Sequence, residues 1–380
     1  MSQRYDYLII GAGITGTSLG ARLSARGKTV LILDKQGIAG GASGGNLGQI
    51  SLMDRFEPWH LELAMESLDF YEKLEKKIAI GYRQHGGSIL LMKQDQIERA
   101  EEVQKIQQPR GLSMELLTPK EAKTLEPRLK KEGLNAMVYC RQEGSVDPLA
   151  LNFYMADMAV ASGAEIRTSE CVMELVQSAQ GIEKVLTDKG TYTADTVINC
   201  AGGWAEQIAN LVGDELPIRS HKGTAFVTQP MPKFLTTTLV GGGFLMEDTG
   251  GDAEDLRIGT AICQHVNGSI IIGQATEKTM TDDRSIGRVG LGQTAINMMS
   301  YFPDLRNVDI LRAWAVSTSY SDDGKPVMGY SEKVSNLFTV AGFKGAFTTA
   351  PAVADRASRM LLYGEPFVAE AEQGRKRNQE

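Results

Sequence analysis

The sequence predicts an α/β protein in which a domain with a parallel sheet is interleaved with a second, α+β domain built on a mostly antiparallel sheet. A strand, a helix and a second strand fill residues 5–33, which is the βαβ unit of a parallel sheet. Alternating strands and helices return at 148–205 and at 310–365. Between these segments, residues 216–275 are rich in Thr and Gly and alternate in polarity, as antiparallel strands do.

Hydrophobic periodicity and capping signals predict the individual elements. Helices are predicted at 14–26, 58–76, 95–107, 148–162, 288–301 and 351–363, and a further short helix opens with the capping box Thr118-Pro-Lys-Glu121. Strands are predicted at 5–10, 29–33, 87–92, 135–140, 165–167 and 172–176, twice within 190–200, and at 309–316 and 336–341.

The same pattern predicts the domain boundaries. The first domain is predicted to comprise residues 1–80, 145–210 and 310–370. The second domain is predicted to comprise residues 81–144 and 211–309, and a polar tail follows at 371–380.

Charge and cysteine spacing exclude several classes of function. The 380 residues carry a net charge of −7, whereas a nucleic-acid-binding protein needs a basic patch. The four cysteines lack the short spacings of metal and iron–sulfur sites, so we expect reduced thiols and no metal. No apolar run approaches the ~20 residues of a transmembrane helix. An apolar strand leads directly into a glycine motif, which leaves no room for a signal peptide, so a cytoplasmic protein is expected.

A dinucleotide-binding motif follows the first strand. Gly11-Ala12-Gly13-Ile14-Thr15-Gly16 has the pattern G-x-G-x-x-G between a strand and a helix. The three glycines permit a tight turn, a close approach to a pyrophosphate and close packing of helix on strand, and the helix N-terminus attracts the phosphates. Asp34, at the end of the second strand, is expected to bind the adenosine ribose, and its charge disfavours NADP.

A second glycine-rich segment decides between FAD and NAD. Residues 37–48 (GIAGGASGGNLG) follow the ribose-binding Asp34 and therefore emerge at the ligand edge of the sheet. A long loop with many exposed main-chain N–H groups suits a long, buried cofactor, so the sequence favours FAD.

The chain resembles the FAD-dependent D-amino acid oxidase (DAO) superfamily. Within it, the resemblance is to glycine oxidase, sarcosine oxidase β and D-amino acid dehydrogenase, and to the FAD subunits of hydrogen cyanide synthase and of opine and hydroxyproline dehydrogenases. Four places in the chain carry the resemblance. The first three are the glycine motif with Asp34, residues 42–49 (ASGGNLGQ) and residues 197–204 (VINCAGGW). The fourth is residues 312–315 (RAWA), followed by Asp323-Gly324-Lys325-Pro326 and then by 342–346 (GFKGA).

The resemblance implies a Rossmann-like FAD-binding domain interleaved with a substrate domain. It also implies the residues that hold a non-covalent FAD, which are Gly11, Gly13, Ile14, Thr15, Gly16, Asp34, Lys35, Ala42, Ser43, Asn46, Leu47, Gly48, Gln49, Val172, Ala201, Gly202, Trp204, Gly342, Lys344, Gly345 and Ala346. Phe343 and Ala346 stand where relatives often carry histidines, so no covalent attachment is expected.

The implied reaction is oxidation of the C–N bond of a small amine or amino acid by hydride transfer to flavin N5, which gives an imine. Relatives usually carry an arginine, which pairs with the substrate carboxylate, where this chain has Thr318. A hydroxyl cannot replace a bidentate guanidinium at equal strength. Either another cation serves, with Lys344 as the best candidate, or the substrate lacks an α-carboxylate. The candidate substrate-pocket residues are Gln49, Thr318 and Lys344, with His221 as a further possibility and no side-chain acid or base assigned.

Two other functions remain open from the sequence. The chain could be the FAD subunit of a hetero-oligomeric dehydrogenase that has little activity alone. By resemblance, its partners would be a second flavoprotein and an iron–sulfur subunit. Alternatively, the same fold could oxidise a 2-hydroxy acid or a glycerol phosphate, although the flavin-side loops carry few basic residues to bind a second anionic group.

Overall fold

The computed structural model describes residues 4–246, 256–278, 283–321 and 325–367. In chain order, the α-helices of these residues are α1 (Ile14–Ser24), α2 (Pro58–Glu75), α3 (Gln94–Gln107), α4 (Pro119–Leu125), α5 (Pro148–Ala161), α6 (Ala205–Asn210), α7 (Gly243–Met246), α8 (Arg288–Tyr301) and α9 (Ala346–Tyr363).

The strands are β1 (Arg4–Ile10), β2 (Val30–Asp34), β3 (Gln49–Ile50), β4 (Gly87–Leu91), β5 (Glu115–Leu117), β6 (Ala136–Cys140), β7 (Gly144–Ser145), β8 (Glu165–Thr168), β9 (Val172–Ser178), β10 (Gly181–Thr187), β11 (Thr191–Asn199), β12 (Ile218–Thr228), β13 (Thr238–Gly241), β14 (Leu256–Gln264), β15 (Ile270–Lys278), β16 (Ile310–Ser321), β17 (Val327–Tyr330) and β18 (Leu337–Ala341).

The first sheet contains the dinucleotide motif. Its strand order is β17-β18-β11-β1-β2-β8, and β10 and β9 extend it as antiparallel strands from β11. Five neighbouring strands, from β18 to β8, run parallel, so their carboxyl ends share one edge. The strands are apolar and buried because helices cover the sheet, and α1 packs against both α5 and α9.

The second sheet has the order β16-β12-β15-β14-β13-β4-β6-β5. Its strands are antiparallel except for the pair β13–β4. Helix α8 covers β14 and β15 on one face. Phe226, Phe302 and Met298 are buried in the core beneath this helix. This arrangement confirms the predicted fold class.

The structure corrects three details of the sequence prediction. Residues 190–200 hold one strand, because the second predicted strand lies earlier, at Gly181–Thr187. Helix α9 begins at Ala346, ahead of the predicted start at 351, and Pro351 lies inside it. A proline there leaves the Phe347 carbonyl without its helical N–H partner, and the Tyr71 hydroxyl donates a hydrogen bond to that carbonyl oxygen instead. β3, β5, β7 and β17 were not predicted, since they have two to four residues each. The polar tail at 371–380 and Asp323-Gly324 lie outside the described residues.

The strand Ile310–Ser321 pairs with β12 along its whole length, so it lies in the second sheet, whereas residues from 310 were assigned to the first domain. Its apolar residues do not distinguish a parallel from an antiparallel strand. The domain boundaries stay predictions. In the described part of the chain, none of the helices combines the length and the apolar character that crossing a bilayer requires.

Glu143 gives the stability of the protein an expected pH dependence. Its Oε1 accepts hydrogen bonds from the main-chain N–H groups of Leu52 (2.6 Å) and Met53 (2.7 Å). Burial raises the pKa of this carboxyl to about 7, whereas the value in an unfolded chain is about 4.3. The native state therefore binds more protons between these values, so the contribution of Glu143 to stability falls as the pH rises from about 4.3 to about 7.

Glu143→Gln is expected to remove this loss of stability at higher pH, because the amide oxygen still accepts both hydrogen bonds but the side chain carries no charge. At pH 8 the variant should be more stable than the wild type by an amount on the order of 2–3 kcal/mol. Between pH 5 and 7.5 its free energy of unfolding should change less steeply. Urea denaturation at several pH values measures both effects, and parallel pH profiles for the two proteins would contradict the prediction.

Candidate active site

A cleft lies at the carboxyl edge of the first sheet and reaches the second sheet. Its lining includes seventeen of the residues predicted from the sequence, namely Gly11, Gly13, Ile14, Thr15, Asp34, Lys35, Ala42, Ser43, Asn46, Val172, Ala201, Gly202, Trp204, Thr318, Gly342, Gly345 and Ala346. Their roles toward FAD stay predictions, but the fold brings them to one place. The carboxyl edge of a parallel sheet is also where ligands bind in such folds.

The turn between β1 and α1 requires glycine at all three motif positions. Gly11 has φ +114°, and a Cβ there would collide with the carbonyl group of Cys200. A Cβ on Gly13 would lie 2.9 Å from Ser43 Oγ. A Cβ on Gly16 would collide with the carbonyl oxygen of Gly11. Gly16 is not among the residues that line the cleft. Its lack of a side chain lets α1 pack closely against the turn.

The N-terminus of α1 is open toward the cleft. Its N-cap residue, Gly13, has no capping side chain, and the first turn has no acidic residue. Ser43 Oγ accepts a hydrogen bond of 3.0 Å from the N–H of Ile14, which leaves the hydroxyl proton able to donate to a ligand. Free N–H groups, a donating hydroxyl and a partial positive charge are what a pyrophosphate requires. The residues present therefore fit the phosphate portion of FAD.

Asp34 is held in place by the main chain around it. Its Oδ2 accepts a hydrogen bond from the N–H of Ala12 (2.8 Å), and its Oδ1 accepts from the N–H groups of Gln36 (2.8 Å) and Gly37 (2.9 Å). A carboxylate has about four acceptor sites, so one remains for a ribose hydroxyl. Asp34 thus orders the loop after β2 as well as facing the cleft.

Asp34→Asn is expected to weaken FAD binding about 10- to 100-fold, because the new amide group would place a donor against a main-chain donor and lose charged hydrogen bonds. FAD fluorescence quenching on reconstitution of the apoprotein measures the dissociation constant. Asp195→Asn is the matched control, since Asp195 lies in the same sheet but forms an exposed ion pair with Arg4. Equal FAD affinity in the two variants would refute the role of Asp34.

The adenosine side of the cleft is formed by the turn after β8. Val172 lines it as predicted, and so do Glu170 and Cys171, which the sequence did not single out. Glu170 Oε1 accepts hydrogen bonds from Thr187 Oγ1 (2.6 Å) and from the Tyr192 hydroxyl (2.7 Å), so its position is fixed. Their place directly after a parallel strand was the signal that could have identified them.

The indole ring of Trp204 forms another wall of the cleft. The Lys35 ammonium group lies 4.2 Å from the centre of this ring, which is a cation–π contact. Both residues were predicted and both line the cleft. The contact fixes the lysine side chain beside the loop that follows β2.

At its other end the cleft meets β16 and the start of α9. Gly342, Gly345 and Ala346 line it from the first sheet, and Thr318 and Tyr320 line it from the second. Thr318 Oγ1 donates a hydrogen bond of 3.2 Å to the main-chain oxygen of His221. Its hydroxyl proton is therefore engaged, so Thr318 is a poor substitute for the arginine of the relatives.

Four further predicted residues do not line the cleft. They are Leu47, Gly48, Gln49 and Lys344. The Gln49 amide group donates to the main-chain oxygens of Leu239 (3.3 Å) and Ile262 (3.0 Å), which holds this side chain against the second sheet. Its role toward a substrate stays a prediction. The main-chain oxygen of Leu47 is 2.9 Å from His265 Nε2, and Gly48 has φ +78°. Residues 47–49 therefore lie against the second sheet.

Lys344 lies near a buried charged cluster that the sequence did not predict. Asp54, Arg55 and His60 are buried behind Gly345, and a Cβ on Gly345 would collide with the Arg55 guanidinium. Arg55 Nη1 is 3.4 Å from Asp54 Oδ2. Burial raises the pKa of Asp54, but the charges of Arg55 and Lys344 outweigh this and lower it overall. Burial, with Arg55, lowers the pKa of His60 to about 3, so this imidazole is neutral.

Apart from Tyr320, whose role as a cap of the pocket the sequence leaves open, the remaining lining residues were not singled out as site residues. They are Ile10, Leu33, Gln36, Gly41, Cys200, Gly203, Ile208, Ser319, Val340, Ala341 and Phe343. Most of them are next to a predicted residue in the chain, so their closeness to the motifs could have identified them. No group of three or more His, Cys, Asp or Glu residues suited to a metal ion occurs among the residues that the structure describes.

Comparison with known proteins agrees with this geometry. The family model DAO, described as FAD dependent oxidoreductase, matches residues 6–360. Glycine oxidase of Geobacillus kaustophilus is 25% identical over 351 residues, which cover 90% of this chain and 88% of that protein. Monomeric sarcosine oxidase of Streptomyces avermitilis is 24% identical, with 96% and 95% covered.

Two further relatives are informative about length and fold. The chain matches dimethylglycine dehydrogenase of Rattus norvegicus at 24% identity but covers only 43% of that protein. The crystal structure of L-proline dehydrogenase from P. horikoshii superposes with a TM-score of 0.86 at 24% identity, covering 96% of this chain and 95% of that one. At this identity the superposition shows the same fold.

Proposed function

The chain belongs to the DAO family of FAD dependent oxidoreductases, and from this premise we propose that it oxidises the carbon–nitrogen bond of a small amine or amino acid. The cleft that runs from the glycine turn to β16 is the observation that carries the proposal. An extended cofactor with its pyrophosphate at α1 would bring its other end to Thr318 and Tyr320 of the second sheet. Relatives named glycine oxidase and sarcosine oxidase support a small amino-acid substrate.

The chain contributes binding, orientation and exclusion of water. When bound, FAD supplies a two-electron acceptor that takes a hydride from the carbon bearing the nitrogen, and the imine product is then hydrolysed by water. The α1 N-terminus with Ser43 would hold the pyrophosphate, and Asp34 would hold the ribose. The second sheet would close the cleft over the substrate and orient its C–H bond. We assign no side-chain acid or base to the reaction.

Anaerobic reduction of the purified protein by candidate substrates tests the proposal. The reconstituted protein should show flavin absorbance near ~450 nm. Glycine, N-methyl amino acids, cyclic imino acids, D- and L-amino acids and plain amines are then added in turn. Bleaching by one of the nitrogen compounds is expected. Bleaching by 2-hydroxy acids or glycerol phosphate, and by no amine, would replace the proposal with the alternative reaction.

The manner of FAD attachment is part of the proposal. Phe343 and Ala346 occupy positions where relatives carry histidines, which supports non-covalent FAD. Acid precipitation of the holoprotein should therefore leave the yellow cofactor in the supernatant. Colour that stays with the precipitate would contradict this.

The electron acceptor and partners are proposed from the resemblance. In the alternative function, in which the chain is the FAD subunit of a cytoplasmic hetero-oligomeric dehydrogenase, its partners would be a second flavoprotein and an iron–sulfur subunit. Turnover of the isolated chain with an artificial dye would support an independent enzyme, whereas flavin that is bound but never reduced by any compound of the panel would favour the partner-dependent subunit.

A further inference from the structure

The two faces of the second sheet have different neighbours. Lys222 is buried, and its Nζ lies 3.1 Å from Glu277 Oε2. A Cβ on Gly290 of α8 would lie 3.4 Å from Leu256 Cδ1. Lys222 pairs with Glu277, and Glu277 pairs with Leu256, across three adjacent strands. These side chains therefore share the face that α8 covers.

The next residue of each strand points to the opposite face, because side chains alternate along a strand. Gly223 pairs with Thr276, and Thr276 pairs with Arg257. On the other side, Gly223 pairs with Val316. A Cβ on Gly45, in the cofactor-side loop, would press on the Val316 side chain. The face that carries Arg257 is therefore the face turned toward the cleft.

The same face continues to the end of the cleft itself. His221 and Thr318 form the neighbouring cross-strand pair, and Thr318 lines the cleft. The rings of His221 and Tyr320 are 5.6 Å apart, and Tyr320 also lines the cleft. A polar wall thus extends from the cleft across β12 and β15 to β14.

An opening in this wall lies at Gly223. Among the described residues, and apart from the chain neighbours of Gly223, the main-chain oxygen of Val316 at 4.0 Å is the one atom near a Cβ added there, so these residues leave the space above Gly223 open. Arg257 is two strands away, which is about 10 Å at the usual strand spacing. A long arginine side chain that lies along the sheet can span most of that distance. Thr276, on the strand between them, borders the same opening.

Arg257 is a cation on this face that is suited to a ligand. It is half-buried, and within the described ranges its guanidinium makes no ion pair or hydrogen bond. Arg55 is buried behind Gly345 and paired with Asp54, and Lys344 acts on the same carboxylate. A guanidinium offers a planar pair of donors that matches a carboxylate.

We propose that Arg257 anchors the carboxylate of the substrate, across the opening above Gly223, in place of the arginine that relatives carry at the position of Thr318. The substrate is then an amino acid and not a plain amine. This inference rests on the proposed oxidation of a carbon–nitrogen bond, but carboxylate binding can be tested without any turnover.

Titration of the oxidised holoprotein with acetate provides that test. A carboxylate bound near the flavin should perturb its absorbance, and Arg257→Met should weaken acetate binding about 10- to 100-fold. Arg257→Lys should retain part of the affinity, because it keeps the charge but not the paired donors. Arg312→Met is the matched control, since Arg312 lies on the same face but at the far, exposed end of β16.

FAD content and the circular dichroism spectrum verify that each variant is folded. The proposal is overturned if acetate does not bind the wild type, or if Arg257→Met binds acetate as the wild type does. It is also overturned if Arg312→Met loses as much affinity as Arg257→Met.

A pair of substrates extends the test to the reaction. In anaerobic stopped-flow reduction, Arg257→Met should raise the dissociation constant of glycine by a similar factor and leave that of methylamine unchanged. An equal change for both compounds would refute the anchoring role. If no nitrogen compound reduces the wild-type flavin, the proposed reaction fails, while the acetate titration still decides whether Arg257 binds a carboxylate.

Discussion

Gly16→Ala is expected to abolish stable FAD binding, with an affinity at least about 100-fold lower, which corresponds to about 2.7 kcal/mol. The added Cβ would collide with the carbonyl oxygen of Gly11 and lie 3.3 Å from the Ile9 side chain. Because the first obstacle is main chain in a tight turn, α1 must move away from β1. The phosphate-binding turn then loses its shape, and overpacking of this kind costs about 1–3 kcal/mol of stability.

The direction of the stability change distinguishes Gly16→Ala from an ordinary Gly→Ala substitution in a helix. A glycine inside a helix is normally about 1 kcal/mol less favourable than alanine, so Gly→Ala should stabilise where there is space. Gly292→Ala provides that comparison, since Gly292 lies in α8 and, apart from its chain neighbours and the backbone of its own helix, no atom of the described residues lies within 4 Å of an added Cβ. FAD titration and urea denaturation of both variants measure the two effects. Gly16→Ala with normal FAD affinity and increased stability would show that the turn tolerates a side chain.

Arg55→Met is expected to destabilise the protein by about 3–5 kcal/mol. Only 3% of the Arg55 side chain and 12% of the Asp54 side chain are exposed, and the ion pair between them is the main compensation for burying both charges. Arg55 Nε also donates a hydrogen bond of 3.2 Å to the main-chain oxygen of Ser51. Removal of the guanidinium leaves the Asp54 carboxylate buried without its partner, and it removes the support beneath Gly345.

The double variant Asp54→Asn with Arg55→Met distinguishes the lost ion pair from lost packing. If the unpaired charge is the main cost, neutralising Asp54 should restore a large part of the stability that Arg55→Met removes. Urea denaturation of the wild type, both single variants and the double variant gives the coupling energy. A double variant that is less stable than Arg55→Met alone would assign the effect to packing.

The cofactor cleft could be predicted from sequence because its chemistry depends on local pattern. A glycine turn between a strand and a helix places Gly11, Gly13 and Gly16 correctly without any knowledge of distant residues. Asp34 follows from its place at the end of the next strand. The order of the parallel strands then brings the later segments to the same edge of the sheet.

The substrate side could not be predicted in the same way, because distant strands assemble it. Gln49 follows a glycine-rich loop as a flavin ligand would, yet its amide group satisfies main-chain oxygens 190 and 213 residues later in the chain. Asp54 and Arg55 belong to no motif, and only the packing of α9 above them makes them buried neighbours of the cleft. Arg257 was not singled out because its relation to the cleft depends on the register of four strands.

The pairing of β1 with β11 and of β11 with β18 also determines when the nucleotide-binding sheet can form during synthesis. Leu8 of β1 pairs with Val197 of β11, and Val197 pairs with Leu337 of β18, so this part of the sheet is complete only after β18 has been made. At about 5–20 residues per second, the ribosome needs about 15–60 s to extend the chain from β2 to β18. A nascent chain that stops before residue 337 leaves one edge of β11 without its partner. The dinucleotide motif is translated first, but its sheet is completed late, and release before that point would expose an apolar strand edge to aggregation.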